Sequence, residues 1–350
     1  MSDIQAVNNS PSDEIDLVEL VKTLWQGKVT IAVCSVVFTA CAIVYALTAQ
    51  QWWTSKAVIT VSQYQNSIAF RNQVSNLYTV YSKDSAKLNE LKSMFNKKNL
   101  FNDFVTEFNA FDNKKTFIEK TPILEKQINA TDADKRHIFI SNWASKFSAS
   151  QVDKKDPYVF YIRSQAESAQ QSYQLLTAYS NFISVKVRED LTQKLVAKIE
   201  NSDAMLKAKE MSLSDNAKKL LANELIRTKY SLDIARSANV IKPIADMNEQ
   251  EFFQINLGTE ALTEKIKILE KSKDLSLFEP KLSDVETNLS LLKSIKLDPN
   301  VKLQSIRFLQ NIDYPISRDK PNRKLIVIIG LILGFVFGSS IVLIRPLFNN

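Results

Sequence analysis

A search for reactive side chains returns little. The chain has one histidine, His137, and two cysteines, Cys34 and Cys41, both inside a single apolar run. One imidazole rules out a three-histidine metal site and leaves little room for Ser-His-Asp chemistry. His137 itself, in a strand-like segment, reads as a packing or surface residue. With no thiols elsewhere there is no disulfide framework. Only five glycines occur in 350 residues, and neither a G-x-x-x-x-G-K-[ST] phosphate loop nor a G-x-G-x-x-G turn is present. G-x-S-x-G, H-E-x-x-H and C-x-x-C are also missing. Acidic pairs such as Glu249 and Glu251 have the residue type for glycoside hydrolysis. On a charged helix such pairs are usually solvated. The residues therefore predict no enzyme, no cofactor and no metal.

The one spacing that stands out is structural. Gly330, Gly334 and Gly338 form G-x-x-x-G-x-x-x-G inside a second apolar run, three of the five glycines in the chain. Spaced by four they share one helix face and admit another backbone closely. That partner is the first apolar helix, a neighbouring copy or another membrane protein.

Two apolar elements frame the chain. Residues 29–47 contain no charge and would span about 28 Å as a helix, close to the hydrocarbon thickness of a bilayer. Lys22 and Lys28 precede the run and Trp52-Trp53 follow it as an interfacial belt. Residues 325–344 form the second span, flanked by Lys320, Arg323, Lys324 and Arg345. A cleaved signal peptide (Ala40-Cys41-Ala42) or a lipoprotein box (Phe38 to Cys41) are the alternatives for the first run. The leader carries Asp3, Asp13, Glu14, Asp16 and Glu19, the wrong charge for a signal n-region, and the run is expected to stay. Charge does not orient the pair. Lys22 and Lys28 favour the N-terminus inside, whereas Arg318, Lys320, Arg323 and Lys324 favour the middle domain inside, and long loops escape the rule. The net charge of +7 suits an anionic surface or glycan and identifies neither.

The composition, 45% apolar and 24% charged, is that of a folded protein. Between the spans, residues 56–63, 137–143, 157–163 and 301–312 read as strands, and 85–109 as helical. Strands from both ends of the loop predict a small α/β platform near the membrane. Residues 165–239 lack Gly and Pro and repeat apolar positions at helical spacing, Tyr173, Leu176, Tyr179, Ile183, Val187, Leu191, Leu195 and Ile199, with Leu220, Glu224, Arg227 and Tyr230 continuing the face with more polarity. This is one very long helix, or a hairpin broken near Ser212–Asp215, ended before Pro243. Two further helices carry Leu262, Ile266 and Leu269, then Leu282, Val285, Leu289 and Leu292. Their stripes read as helix-to-helix core.

Four segments together resemble the polysaccharide co-polymerases of the chain-length determinant family, regulators of O-antigen length. Residues 13–28 (DEIDLVELVKTLWQGK), running into the first span and then WWTSKAVITV, are similar to the family's N-terminal pattern. YSLDIARSANVIKP (230–243) resembles the close of its long helix. Residues 257–292 resemble its G-[TS]-x-x-L-x-x-E-I-x-x-L…F-x-P-x-L signature, with Glu264 the match to its glutamate rather than Lys265. Pro315 to Lys324, with Pro315 and Pro321, is similar to its proline-rich exit before the glycine-faced helix. Residues 64–135 show nothing familiar.

The resemblance implies an α+β fold: two transmembrane helices flanking a periplasmic domain, with a membrane-proximal α/β base and a long projecting helix. The divisions would be a cytoplasmic tail at 1–28, spans at 29–47 and 325–344, a periplasmic region at 48–324 with its arm at about 165–239, and a cytoplasmic tail at 345–350. It also implies a multi-pass protein of the bacterial inner membrane and a homo-oligomeric ring acting on an integral-membrane O-antigen polymerase. An undecaprenyl-linked glycan is a further partner; no nucleic acid is implied. Pro315, Pro321, Gly330, Gly334 and Gly338 are the expected residues of membrane helix packing or polymerase contact. The competing readings are a two-helix membrane sensor or a transport-associated protein with an extracytoplasmic domain, a co-polymerase with a separate kinase partner, and a periplasmic enzyme.

Overall fold

A computed structural model describes residues 17–244, 253–298 and 300–345. The acidic leader to Asp16, the Glu249/Glu251 pair and the tail beyond Arg345 lie outside the described residues.

In chain order, α1 (Leu17–Gln26) leads into α2 (Lys28–Thr48), and β1 (Trp53–Val61) follows. Six short helices come next: α3 (Ile68–Gln73), α4 (Ser75–Val80), α5 (Ser85–Met94), α6 (Lys97–Asn109), α7 (Phe111–Lys120) and α8 (Pro122–Asn129). Then come α9 (Arg136–Ala144), the hairpin of β2 (Phe147–Asp153) and β3 (Asp156–Ala166), and α10 (Ala169–Ser237). The chain finishes with α11 (Gly258–Lys271), α12 (Lys281–Lys293), β4 (Ile306–Gln310) and α13 (Arg323–Ile344). The four strands form one sheet in the order β2-β3-β1-β4. The fold class is α+β, as expected.

Two strand expectations fail. Residues 137–143 are helical: Ile140, Trp143 and Ala144 are buried at three- to four-residue spacing while Ile138 is exposed, so the apparent alternation of Ile138 and Ile140 is not a strand face. Of 301–312 only Ile306–Gln310 is strand, because Leu303 is drawn into a helical core instead. The sequence 147–153 (FSASQVD), too polar to be read as a strand, is β2, paired antiparallel with β3 from Phe147↔Ser164 onward.

The chain divides into two compact units, Met1–Ile59 with Phe108–Asn181 and Phe308–Asn350, and Thr60–Glu107 with Phe182–Arg307. The first unit holds both apolar terminal helices and most of the sheet. Its core closes around Tyr179, fully buried, with ring centroids of Phe108 at 4.7 Å, Phe117 at 5.0 Å and Phe147 at 4.7 Å. Tilted and edge-on aromatic contacts of this kind add to simple burial. The Tyr179 hydroxyl donates to the Phe108 carbonyl at 2.8 Å, so the one polar atom of the cluster is satisfied. At the sheet edge the Asn109 side-chain amide donates to Ala149 O (3.0 Å) and accepts from Ala149 N (2.9 Å).

In the second unit, Phe70, Val74, Leu77, Leu91 and Phe95 pack with Leu191, Leu195, Leu292 and Leu303. The Asp84 carboxylate caps α5 on Lys87 N, and Pro122 opens α8 in the other unit, the usual devices for short helices. The long helix is continuous over 69 residues, about 104 Å at 1.5 Å per residue. The hairpin alternative is excluded. Asp215 pairs with Lys218 (3.4 Å) instead of capping a new helix, and Lys207–Asp203, Arg227–Glu224 and Arg236–Asp233 add pairs one turn apart along the same helix. Asn239 ends it in the left-handed conformation (φ 56°), with Val240 N bonded back to Ala235 O. At Gly258 (φ 74°) a Cβ would stand 2.6 Å from the Ile241 carbonyl oxygen, so only glycine fits where the returning chain crosses that exit.

Candidate functional site in the membrane-helix seam and its rim

Lys28–Thr48 and Arg323–Ile344 are both long and apolar enough to cross a membrane. They pack antiparallel along the glycine face. A Cβ on Gly330 would lie 2.5 Å from the Ala42 Cβ, on Gly334 2.7 Å from the Ser35 Cα, and on Gly338 2.8 Å from the Ile31 Cα. Lipid tails are as apolar as leucine, so burying carbon drives nothing here. Close backbone approach and its dispersion contacts hold such helices together. Of the three partners that the glycine spacing leaves open, the first helix occupies the face. That helix is more than a plain anchor, because Ile31, Ser35 and Ala42 form the other half of the seam. Phe38 and Phe337 meet beside it at 5.3 Å, and the Thr39 hydroxyl donates within its own helix to Ser35 O. Gly27, unnoticed in the sequence, plays the same part at the α1–α2 junction, where a Cβ would run into the Val342 side chain. Its signal is visible in retrospect as the one other glycine flanking a span.

At the rim the two chain segments are joined. Trp52 N donates to Lys320 O (3.0 Å) and Asp319 N to Trp52 O (2.9 Å); farther out, Asp313 N donates to Lys56 O. The Ser55 hydroxyl donates to Asp313 O, and Lys56 N to the Asp313 carboxylate. Arg323 Nε donates to Ala46 O, one of the last carbonyls of α2, and the Asn322 side chain caps α13. Lys146 lies 3.9 Å over the Trp52 ring, whose other neighbour is Trp143. Burial, and then the charge of Lys320, push the Lys146 ammonium below the ordinary lysine range. Pro315 is buried and, with Thr54, Lys56, Tyr161, Arg163 and Tyr314, lines a cleft of about 750 Å³ on the sheet. Pro321 follows the Trp52–Lys320 bridge. The structure thus places Pro315 and Pro321 on the strap between β4 and α13, apart from the glycine face.

The far half of α10 departs from the expected face. Leu220 and Tyr230 are exposed (41% and 58%), whereas Ala217, Thr228, Ser231, Leu232 and Ala235 are buried. Here α11 packs, through Leu262 and Ile266, on Leu232 and Ala235, and small residues carry no hydropathy signal. Glu224 accepts from Lys265 (2.6 Å) and pairs with Arg227, while Glu264 pairs with Lys267. Outward lie Met211, Ile226, Tyr230 and Ile234, the last three at helical spacing. Among the described residues, no three His, Cys, Asp or Glu side chains converge to hold a metal ion, and His137 is exposed on α9.

Residues 13–120 match the family described as Wzz, chain length determinant protein. That stretch includes most of residues 64–135. A chain length determinant protein of Escherichia coli is 25% identical over 349 residues, 98% of this chain and 95% of the relative. Among solved structures, a full-length bacterial polysaccharide co-polymerase superposes with a TM-score of 0.71 at 22% identity, covering 96% of this chain and 99% of the other. A Wzz dodecamer subunit matches with a TM-score of 0.52 at 17% identity, over 77% of this chain and all of that one. From the paired end helices through the sheet to the 69-residue helix, the fold is that of the solved co-polymerase, and residues 13–120 carry the match to the chain length determinant family.

Proposed function

We propose that this chain is a non-catalytic regulator of polysaccharide chain length, setting the modal length of the O-antigen of lipopolysaccharide. It acts as a homo-oligomeric ring in the inner membrane, with both termini cytoplasmic and the main domain periplasmic. Its target is the integral-membrane polymerase that extends the undecaprenyl-linked glycan. The observation that carries this reading is the 69-residue helix in a chain anchored at both ends, bearing the outward apolar residues Ile226, Tyr230 and Ile234. In water such a stripe favours a neighbouring copy. The family relatives and the dodecameric relative support the same reading.

In this scheme the seam of Gly330, Gly334 and Gly338 fixes the helix pair, and the strap from Pro315 to Pro321 holds the pair against the sheet. The polymerase then meets the outer surfaces of the pair. Deleting the gene and resolving the surface glycan as a ladder tests the function. A modal cluster that collapses to a smoothly decaying series supports it, and an unchanged ladder refutes it. Gly334→Leu, which drives a side chain into the Ser35 backbone, should loosen the pair and broaden the mode in the same assay.

A further inference from the structure

The seam is antiparallel, so one membrane face carries the start of α2 and the end of α13, with Lys22, Lys28 and Arg345. The opposite face carries Arg318, Lys320, Arg323 and Lys324 just before α13, and the fold adds Lys146, held on Trp52. Under the proposed topology this second face is periplasmic. It is where cations are not needed for membrane orientation. Nor do the cations serve the fold by pairing: among the described residues none of these five forms an ion pair with a carboxylate, and neighbouring Asp319 bonds to none of them.

We propose that Lys146, stacked on Trp52, together with Lys320, whose backbone bonds to Trp52, and Arg323 at the start of α13, forms a binding site for the phosphate group of an anionic glycerophospholipid. The level is right for such a group. Trp52 follows the last helical residue of α2, Thr48, by four positions and sits where interfacial aromatic rings lie, beside the headgroups. The geometry is right as well. Lys146 has only a long 3.5 Å bond to the Gln165 side-chain oxygen, and Arg323 spends its Nε on Ala46 O, leaving its terminal amino groups to donate. A phosphate oxygen would satisfy these donors and offset the burial and the Lys320 repulsion that now weaken the charged form of Lys146. This inference rests on the membrane-spanning reading, not on the effect on glycan length.

The test uses the full chain in nanodiscs of mixed phosphatidylcholine and phosphatidylglycerol, with retained lipid counted by native mass spectrometry. The wild-type chain should retain phosphatidylglycerol over phosphatidylcholine. Lys146→Gln with Lys320→Gln should lower that preference roughly ten- to thirty-fold, and the two arginine replacements should keep it. Removing the same charge at Lys154 and Lys155, on the exposed β2–β3 turn, should change nothing. No preference in the wild type, an equal loss in the Lys154/Lys155 control, or full displacement by millimolar inorganic phosphate would overturn the assignment to a lipid. A normal lipid preference with an unchanged glycan ladder after gene deletion would instead refute the proposed function and leave this site standing.

Discussion

The two halves of α10 solve opposite problems with one helix. From Ile183 to Leu195 every fourth residue is a large aliphatic side chain, Ile183, Val187, Leu191 and Leu195, all buried within the chain. From Ala217 to Ala235 the buried positions other than Leu232 are small or hydroxylic, and the large apolar residues Ile226, Tyr230 and Ile234 face outward. The near half completes a core; the far half keeps its apolar area for something beyond the protomer. A helix this long needs packing along its whole length, since propensity alone contributes little, and the contrast shows which part the chain supplies itself.

That contrast can be broken. Leu195→Ala in the near half should cost about 2–5 kcal/mol, read as a fall in the denaturation midpoint of the full chain in detergent. Ala235→Leu, which overfills the close approach to α11, should cost about 1–3 kcal/mol in the same measurement. Ile226→Asp should leave the unfolding free energy within about 0.5 kcal/mol while lowering the assembled mass seen by light scattering. If Ile226→Asp unfolds the protomer as Leu195→Ala does, the two halves are alike and the distinction is wrong. The smallest effect concerns pH. The Asp190 carboxylate, hydrogen-bonded at 3.1 Å, raises the Lys186 pKa. A raised lysine pKa stabilises the fold fully below the unfolded value of about 10.4 and is lost as pH rises through the folded value. Both side chains are partly solvated, so the loss should be slight, visible as a shallower alkaline decline in Lys186→Met.

Much of this was legible in the residues because it rests on long periodic signals. Both spans, the uninterrupted helix and the Leu262–Ile266 and Leu282–Leu292 stripes follow from apolar spacing over many turns. Short elements were not. HIFISNW satisfies two periods at once, and only the burial of Ile140 with Trp143 and Ala144 decides for helix. β2 is a polar edge strand whose place depends on Asn109, distant in sequence. Residues 64–135 fold as brief helices fixed by tertiary packing of Phe70, Phe95, Phe117 and Leu124, with no period long enough to read. At the site, glycine spacing gave the seam but not its occupant. The complementary Ser35 and Ala42, the Gly27 notch and the Lys146–Trp52 contact each depend on pairings across the chain.

The hydrogen bonds that tie Trp52 to Lys320 and Ser55 and Lys56 to Asp313 have a mechanical consequence. They clasp the outgoing and returning segments just beyond the bilayer, while the glycine seam locks the helices within it. Neither helix can slide along the other like a piston without breaking the clasp. Motion across the membrane must tilt or translate the hairpin as a single lever. Such a device suits a rigid post that spaces a neighbouring machine better than a relay that transmits a stroke.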